Sequence, residues 1–394
     1  MIDSGGLDGR HRVAETPSAE ERSVLPGSRS DRLALTVWLS SWAGVMFCVA
    51  LTPRALPGSF HQGQSFLSRW NHWDVTRFIT LAQHGYAGDP ALYGDDKGWP
   101  AFFPGYPVVL HAVGLVTPSL EAAGLLISLV AGAVAAVALA RLADCESGGT
   151  GPYAVIAMVA SPAALFLFAG YSESLFLALA LPAWLLARRG RWEWAVSLAA
   201  LSSFVRITGA FLAVALIVEY LTGPAGRRLR GWRPLPLLAV PFLPLLVYTV
   251  YQWNRTGDWM AWQHAQVVGW QRNTVWPWES FLTTWNAAVH TDNQFTLAFR
   301  VELVAAAVGV LLVCYLLGSR RWPEATYVGL QLAALVTSSF YLSIGRTTLI
   351  WWPLWLAVAR LHVRWRPAYA AVVAVSAPVA VLFLLIFTSG AWIG

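Results

Sequence analysis

Apolar residues run through this chain in long stretches separated by short polar turns. Stretches at 33–51, 119–141, 152–168, 172–187, 234–252, 300–318, 325–343, 347–361 and 367–389 are each near the length that crosses a bilayer as a helix. The pattern predicts an all-α polytopic membrane protein. A further apolar region, 192–221, is too long for one crossing and is interrupted by Val205-Arg206-Ile207-Thr208-Gly209. It reads either as one long helix or as two half-helices meeting at the break. With external amphipathic and re-entrant helices set apart, the expectation is about 9–11 transmembrane helices.

Arginine placement orients these spans, because short arginine-rich loops stay in the cytoplasm. The clusters are Arg188, Arg189 and Arg191; Arg227, Arg228, Arg230 and Arg233; Arg320 and Arg321; and Arg360, Arg364 and Arg366. They share one face only if 192–221 enters and returns, which puts Arg206 toward the outer half of the membrane. The same parity makes 101–117 a helix that dips in from outside without crossing. Segments 52–118 and 253–299 then lie outside, with the turns around Tyr171 and Gly345. Residues 1–31 are polar, mixed in charge and poor in large apolar side chains, and read as a disordered cytoplasmic tail before a single transmembrane domain, 32–394. The first apolar stretch lacks a signal-peptide cleavage pattern and reads as a retained span.

Composition agrees with this reading. Of 394 residues 57% are hydrophobic and only 12% charged, with a mean hydropathy of +0.53, which excludes ordinary water-soluble folding. The net charge of +6 is scattered through short loops and forms no stripe for a phosphate backbone, so nucleic acid is not a partner. Lys97 is the one lysine among 27 basic residues, a skew that reads as the coding bias of a GC-rich bacterial genome. Cys48, Cys145 and Cys314 lie far apart and give neither a disulfide framework nor metal-ligand spacing.

Chemistry therefore collects on the outer segments. From Asp74 onward Val75, Phe78, Ile79 and Ala82 have helical spacing, predicting a short amphipathic helix on the membrane surface with Asp74 at its start. Asp74 reads both as a helix cap and as a carboxylate at the water–lipid boundary able to take a proton from a hydroxyl. The run Ser161-Pro162 to Ser174 describes a helix that ends at Gly170 and restarts at Ser172, with Glu173 in the next first turn. Arg206, inside an apolar segment, needs a partner, either Glu173 or an anionic ligand such as a lipid phosphate. Arg346, between two spans, is either an interfacial arginine or a second ligand to that phosphate. Trp253, Trp259, Trp262, Trp270, Trp276, Trp278 and Trp285, with His264 and Arg272 among them, suit an interfacial belt, and one or two of them a platform for a sugar or isoprenoid chain.

Trp73-Asp74, His84-Gly85-Tyr86, the Ala101–Pro107 run, the Ser161–Ser174 run ending Tyr-Ser-Glu-Ser, and Arg206 followed by Gly209 resemble, in this order, the PIG-V family. This GPI mannosyltransferase II family has the GT-C membrane glycosyltransferase fold. The similarity runs from about residue 68 to 210, with weaker echoes at 257–277 and 343–353. It implies an enzyme that moves mannose from polyprenyl-phosphate mannose to a lipid-linked or glycan acceptor outside the cytoplasm, and the GC-rich coding bias makes it a bacterial, actinobacterial-type member in the plasma membrane. Asp74 is then the expected general base, in external catalytic segment 52–118. The expected substrate-binding set is His72, Trp73, Arg77, Tyr106, Tyr171, Glu173, Arg206, His264, Arg272 and Arg346, with no metal site and no cofactor beyond the lipid-linked donor. A lipid-linked-sugar transporter and a noncatalytic assembly subunit are the rival readings. The first should show repeated halves or polar residues continuing to the cytoplasmic side; the second would tolerate loss of the carboxylate.

Overall fold

The computed structural model describes residues 29–55, 65–86, 98–223, 236–292 and 295–392. Among these the chain is helical apart from one antiparallel bridge, Thr274 to Ser338. Helix α1 is Arg29–Ala55, α2 Asp74–His84, α3 Gly105–Gly114, α4 Leu120–Glu146, α5 Gly151–Val159, α6 Leu165–Phe168, α7 Glu173–Arg188, α8 Trp192–Val205 and α9 Thr208–Thr222. After the next described residue, Pro236, come α10 Leu243–Thr256, α11 Ala261–Trp270, α12 Pro277–Val289, α13 Thr296–Gly318, α14 Trp322–Val336, α15 Ile344–Thr347, α16 Trp352–Arg364 and α17 Arg366–Thr388.

Five described helical segments are long and apolar enough to cross a membrane: Arg29–Pro53, Leu120–Glu146, Pro236–Thr256, Thr296–Gly318 and Arg366–Thr388. A sixth is reached if α5 and the segment Pro162–Phe168, bent by 79° between them, form one span. The count is lower than the nine to eleven expected because several predicted spans are cut short by backbone breaks. Span 152–168 turns at Ser161-Pro162, where proline removes the helical N–H and holds Ser161 extended, at φ −68° and ψ 150°. Span 325–343 stops at Val336, because residues 337–339 leave the helix to bond the 273–275 segment, Val275 N–H reaching Thr337 O at 2.8 Å. Span 347–361 is broken at Trp351, between a 3-10 turn at Thr348–Ile350 and the α-helix that starts at Trp352, one residue before Pro353.

The region 192–221 is two helices, α8 and α9, meeting at an extended Arg206. The hairpin closes tightly: a Cβ at Gly209 would stand 2.3 Å from Ser203 Cα. The 101–117 dip is the ten-residue α3, and the first described helix begins at Arg29, inside the stretch read as a tail. Asp31 there bonds Arg141 at 2.8 Å. The Arg227–Arg233 cluster lies outside the described residues.

Small residues let these helices approach without a solvent-driven squeeze between them. Gly132 of α4 lies under the ring of Trp38, which is fully buried and stacks on Phe168 at 5.0 Å. Gly124 faces Gly170 directly, and the Tyr106 hydroxyl lies against both. Ser119 caps α4, its hydroxyl accepting the Ala122 N–H at 3.2 Å.

The 27 residues of α4 span about 40 Å and separate two sets of charges. At its far end Glu146 takes both Arg321 and Arg360; Arg321 also reaches Glu324 at 2.8 Å, and Arg188 reaches Glu219 at 3.4 Å. Three of the four arginine clusters thus gather at one end of the bundle, as the parity argument requires. The Asp74 segment packs at the other end, where Asn71 donates to Glu121 at 3.1 Å.

Candidate active site

The site is built where three breaks in helical structure meet: the Trp73–Asp74 start of α2, the Gly170–Ser172 turn before α7, and the 337–351 passage holding α15. Trp73 occupies the position before α2 with φ 57° and ψ −120°, a strained conformation for a residue with a Cβ, and makes no side-chain cap. Asp74 is therefore the first helical residue rather than the cap, and its carboxylate is free to turn inward. Val75, Phe78, Ile79, Leu81 and Ala82 are buried and seat α2 on the bundle.

Arg346 joins this carboxylate to a second one. Its Nη1 donates to Asp74 Oδ2 and its Nε to Glu173 Oε1. Arg206 Nη1 donates to the same Glu173 oxygen at 2.8 Å and to Ser172 Oγ at 2.7 Å. The four charges form one chain, Asp74–Arg346–Glu173–Arg206, with Glu173 1% exposed and Asp74 20%. The Arg346 guanidinium also lies over Tyr171, at 4.5 Å, and Phe166, at 5.1 Å. Glu173 Oε2 is buried without a hydrogen-bond partner among the described residues, as is Arg272 Nε. Both are polar atoms that a ligand hydroxyl or phosphate would satisfy.

Arg272 stands beside this chain. Its Nη2 donates to Leu342 O at 3.1 Å and its Nη1 to Gln266 Oε1 at 3.3 Å. Burial pulls its pKa down to about 10, which leaves it charged at neutral pH. Glu302 of α13, absent from the expected set, is buried next to it and accepts the backbone N–H groups of 343, 344 and 345. Its signal in the sequence is a charge early in an apolar span, the same signal that singled out Arg206.

The other expected residues sit around the ion chain rather than in it. His72 packs its ring edge-on against Phe387 at 5.9 Å. Tyr106 is fully buried beneath Phe78 and belongs to the packing under α2. Arg77 lies in an aromatic box, 5.1 Å from Trp99, 5.3 Å from Trp270 and 5.7 Å from Phe102. His264 lies apart on an exposed surface, donating to Asp258 at 2.6 Å, and this bond holds the Asp258 carboxyl below its usual range. Trp253 and Trp259 stack at 4.4 Å and Trp276 and Trp278 at 4.9 Å, all four exposed.

A cavity of about 350 Å³ opens from Arg346, Glu302 and Phe166 and runs between α5, α13, α16 and α17. Its walls are Ala157, Val304, Val308, Val358 and Val372 among other apolar residues. From Ala298 to Val308 it follows α13 for about 15 Å. A charged head leads into an apolar channel.

An all-helical, membrane-spanning bundle with a buried ion chain at the mouth of an apolar channel is the class of protein defined here. Residues 47–223 match the family Mannosyltransferase (PIG-V). The human GPI alpha-1,6-mannosyltransferase 2 is 37% identical over 174 residues, covering 40% of this chain and 33% of that protein. The mouse protein of the same name is 33% identical over 218 residues, covering 50% of this chain and 42% of its own length. The chain thus spans between a third and a half of the length of these curated relatives. Among solved structures, the archaeal oligosaccharyltransferase AglB from Archaeoglobus fulgidus is similar with a TM-score of 0.45 at 13% identity, covering 91% of this chain and 56% of that one.

Proposed function

We propose that this protein is a GT-C-type inverting mannosyltransferase that moves a mannosyl residue from polyprenyl-phosphate mannose to a hydroxyl of a lipid-linked or glycan acceptor. The reaction takes place on the outer face of a bacterial plasma membrane. The observation that carries the reading is Arg346, bonded to Asp74 and Glu173 at the head of the apolar channel. A sugar linked through phosphate to a long isoprenoid has the matching sequence of parts: a polar head, an anion and an apolar tail.

In this mechanism the acceptor oxygen attacks the anomeric carbon while the bond to the phosphate oxygen breaks. The bonding electrons leave with the polyprenyl phosphate, and the hydroxyl proton passes to Asp74. Arg346 bonds Oδ2 of Asp74, which leaves Oδ1 as the accepting atom. Negative charge grows on the departing phosphate, and Arg346 and Arg206, already fixed by Glu173, meet it without reorganising. Glu173 Oε2 is placed to orient a sugar hydroxyl. One displacement inverts the anomeric centre. A transporter reading is disfavoured because, among the described residues, the far-end charges are bonded to one another through Glu146, Glu219 and Glu324.

The test is transfer by the full chain in vesicles given polyprenyl-phosphate mannose or a nucleotide-linked mannose, with the product anomer determined. The expected outcome is transfer from the lipid donor alone, with inversion. Transfer from the nucleotide donor, retention, or lipid flipping without transfer overturns the reading.

A further inference from the structure

We propose that Glu302 is a positioning residue: its carboxylate holds the 343–345 turn that aims Arg346 at the site, a role that rests on the transfer reading above. Glu302 is 2% exposed, in the second turn of α13. Its Oε1 accepts the Ser343 N–H at 2.8 Å, and its Oε2 accepts the Ile344 N–H at 2.7 Å and the Gly345 N–H at 3.3 Å. Three consecutive amides point at one carboxylate because Ser343 is left-handed, with φ 64° and ψ 19°. Arg346 is the next residue.

The turn's other side-chain bonds are local ones, Thr347 Oγ1 donating to Ser343 O at 2.6 Å and Thr348 Oγ1 to Gly345 O at 2.7 Å, and they do not tie it to the rest of the bundle. Helix α15 is only four residues long and cannot hold its own orientation. Arg272 grips the preceding carbonyl, Leu342 O, so an acid and a base from different segments clamp the chain on either side of Ser343. From that clamp Arg346 reaches Glu173 and Asp74, and a shift of the turn would move its guanidinium away from both. A carboxylate suits the task because it is acceptor-only with capacity for three donors. A glutamine of the same size offers one oxygen and turns an NH₂ against the amides.

The experiment compares Glu302→Gln, Glu302→Asp, Arg346→Lys and the double variant E302Q/R346K, as full chains in nanodiscs. Amide exchange is followed by mass spectrometry on peptides covering 341–348, and kcat and KM are measured with polyprenyl-phosphate mannose. Glu302→Gln should speed exchange at 343–345 at least about tenfold, at unchanged protection of α4, and lower kcat by about 10²-fold with a small change in KM. The double variant should be no slower than Arg346→Lys alone, because both changes act through one guanidinium. Unchanged protection at 343–345, or rate losses that multiply in the double variant, overturns the proposal. If the wild-type chain moves no sugar, the transfer reading fails and the exchange measurement alone decides for or against the clamp. Should Glu302→Gln not fold, Glu302→Asp carries the same tests, one methylene too short to bond all three amides.

Discussion

Arg346 and Asp74 are 272 residues apart in the chain and bonded, guanidinium to carboxylate, in the fold. Because Arg346 also holds Glu173, removing the charge of Asp74 does not leave a buried cation without a partner. Function and stability are therefore separable at this position. Asp74→Asn should lower transfer by at least about 10²-fold, the loss expected of a general base, while the unfolding midpoint in detergent moves little. Turnover near that of the wild type would remove Asp74 from the mechanism.

Arg206 poses the complementary case. Its single nitrogen Nη1 serves both Ser172 Oγ and Glu173 Oε1, at the tip of the α8–α9 hairpin. In Arg206→Lys the charge stays, but the planar set of donors that can bond Glu173 and a phosphate together is lost. The expected result is a KM for the lipid donor raised about tenfold, equivalent to roughly 1.4 kcal/mol, with kcat less affected. Titration of donor concentration in vesicles measures it, and an unchanged KM would count against phosphate contact.

The sequence displayed this site unevenly, for physical reasons. Asp74, Glu173 and Arg206 stand out because a charge inside or beside an apolar run is costly and needs a purpose, and the structure brings all three into one chain. The break at Arg206 was legible from Gly209 and the polar interruption of a long apolar run. Helix lengths were not. Ser161-Pro162 ends one helix through proline's missing N–H and the bridge at Ser338 ends another through backbone bonds, and a hydropathy run registers neither. Glu302 carried the same signal of a charge in an apolar run, but its partners are backbone amides, which every residue carries, so nothing in the sequence tied it to the site. His264 drew attention by residue type alone, and its partner is a local one, Asp258.

At the opposite end of the bundle the charges bear on stability alone. Glu146 takes both Arg321 and Arg360 and is 13% exposed, between a surface pair and a fully buried one. Glu146→Gln leaves two guanidiniums competing for one amide oxygen. It should cost about 2 kcal/mol, intermediate between the small value of exposed pairs and the larger cost of breaking buried ones. Thermal unfolding in detergent would show the loss. The kcat of the folded fraction should stay at the wild-type value, because about 40 Å of α4 separates Glu146 from Asp74.

The packing of α4 on α1 gives a sharper comparison, since two glycines within helices meet opposite surroundings. A Cβ at Gly132 would stand 2.0 Å from Cζ2 of Trp38, a ring that cannot retreat because it is fully buried, stacked on Phe168 and bonded from Nε1 to Leu129 O at 2.9 Å. Gly132→Ala should therefore push α1 away and cost about 1–3 kcal/mol, as overpacked cores do. Gly329 lies inside α14 with nothing within 4 Å of the same atom. There alanine adds no clash and restricts the unfolded backbone, so Gly329→Ala should gain about 0.5–1 kcal/mol. Paired unfolding curves in one detergent read both signs. A neutral Gly132→Ala would mean that α1 and α4 do not pack through Trp38 as described, and a destabilising Gly329→Ala that the space beside α14 is not open.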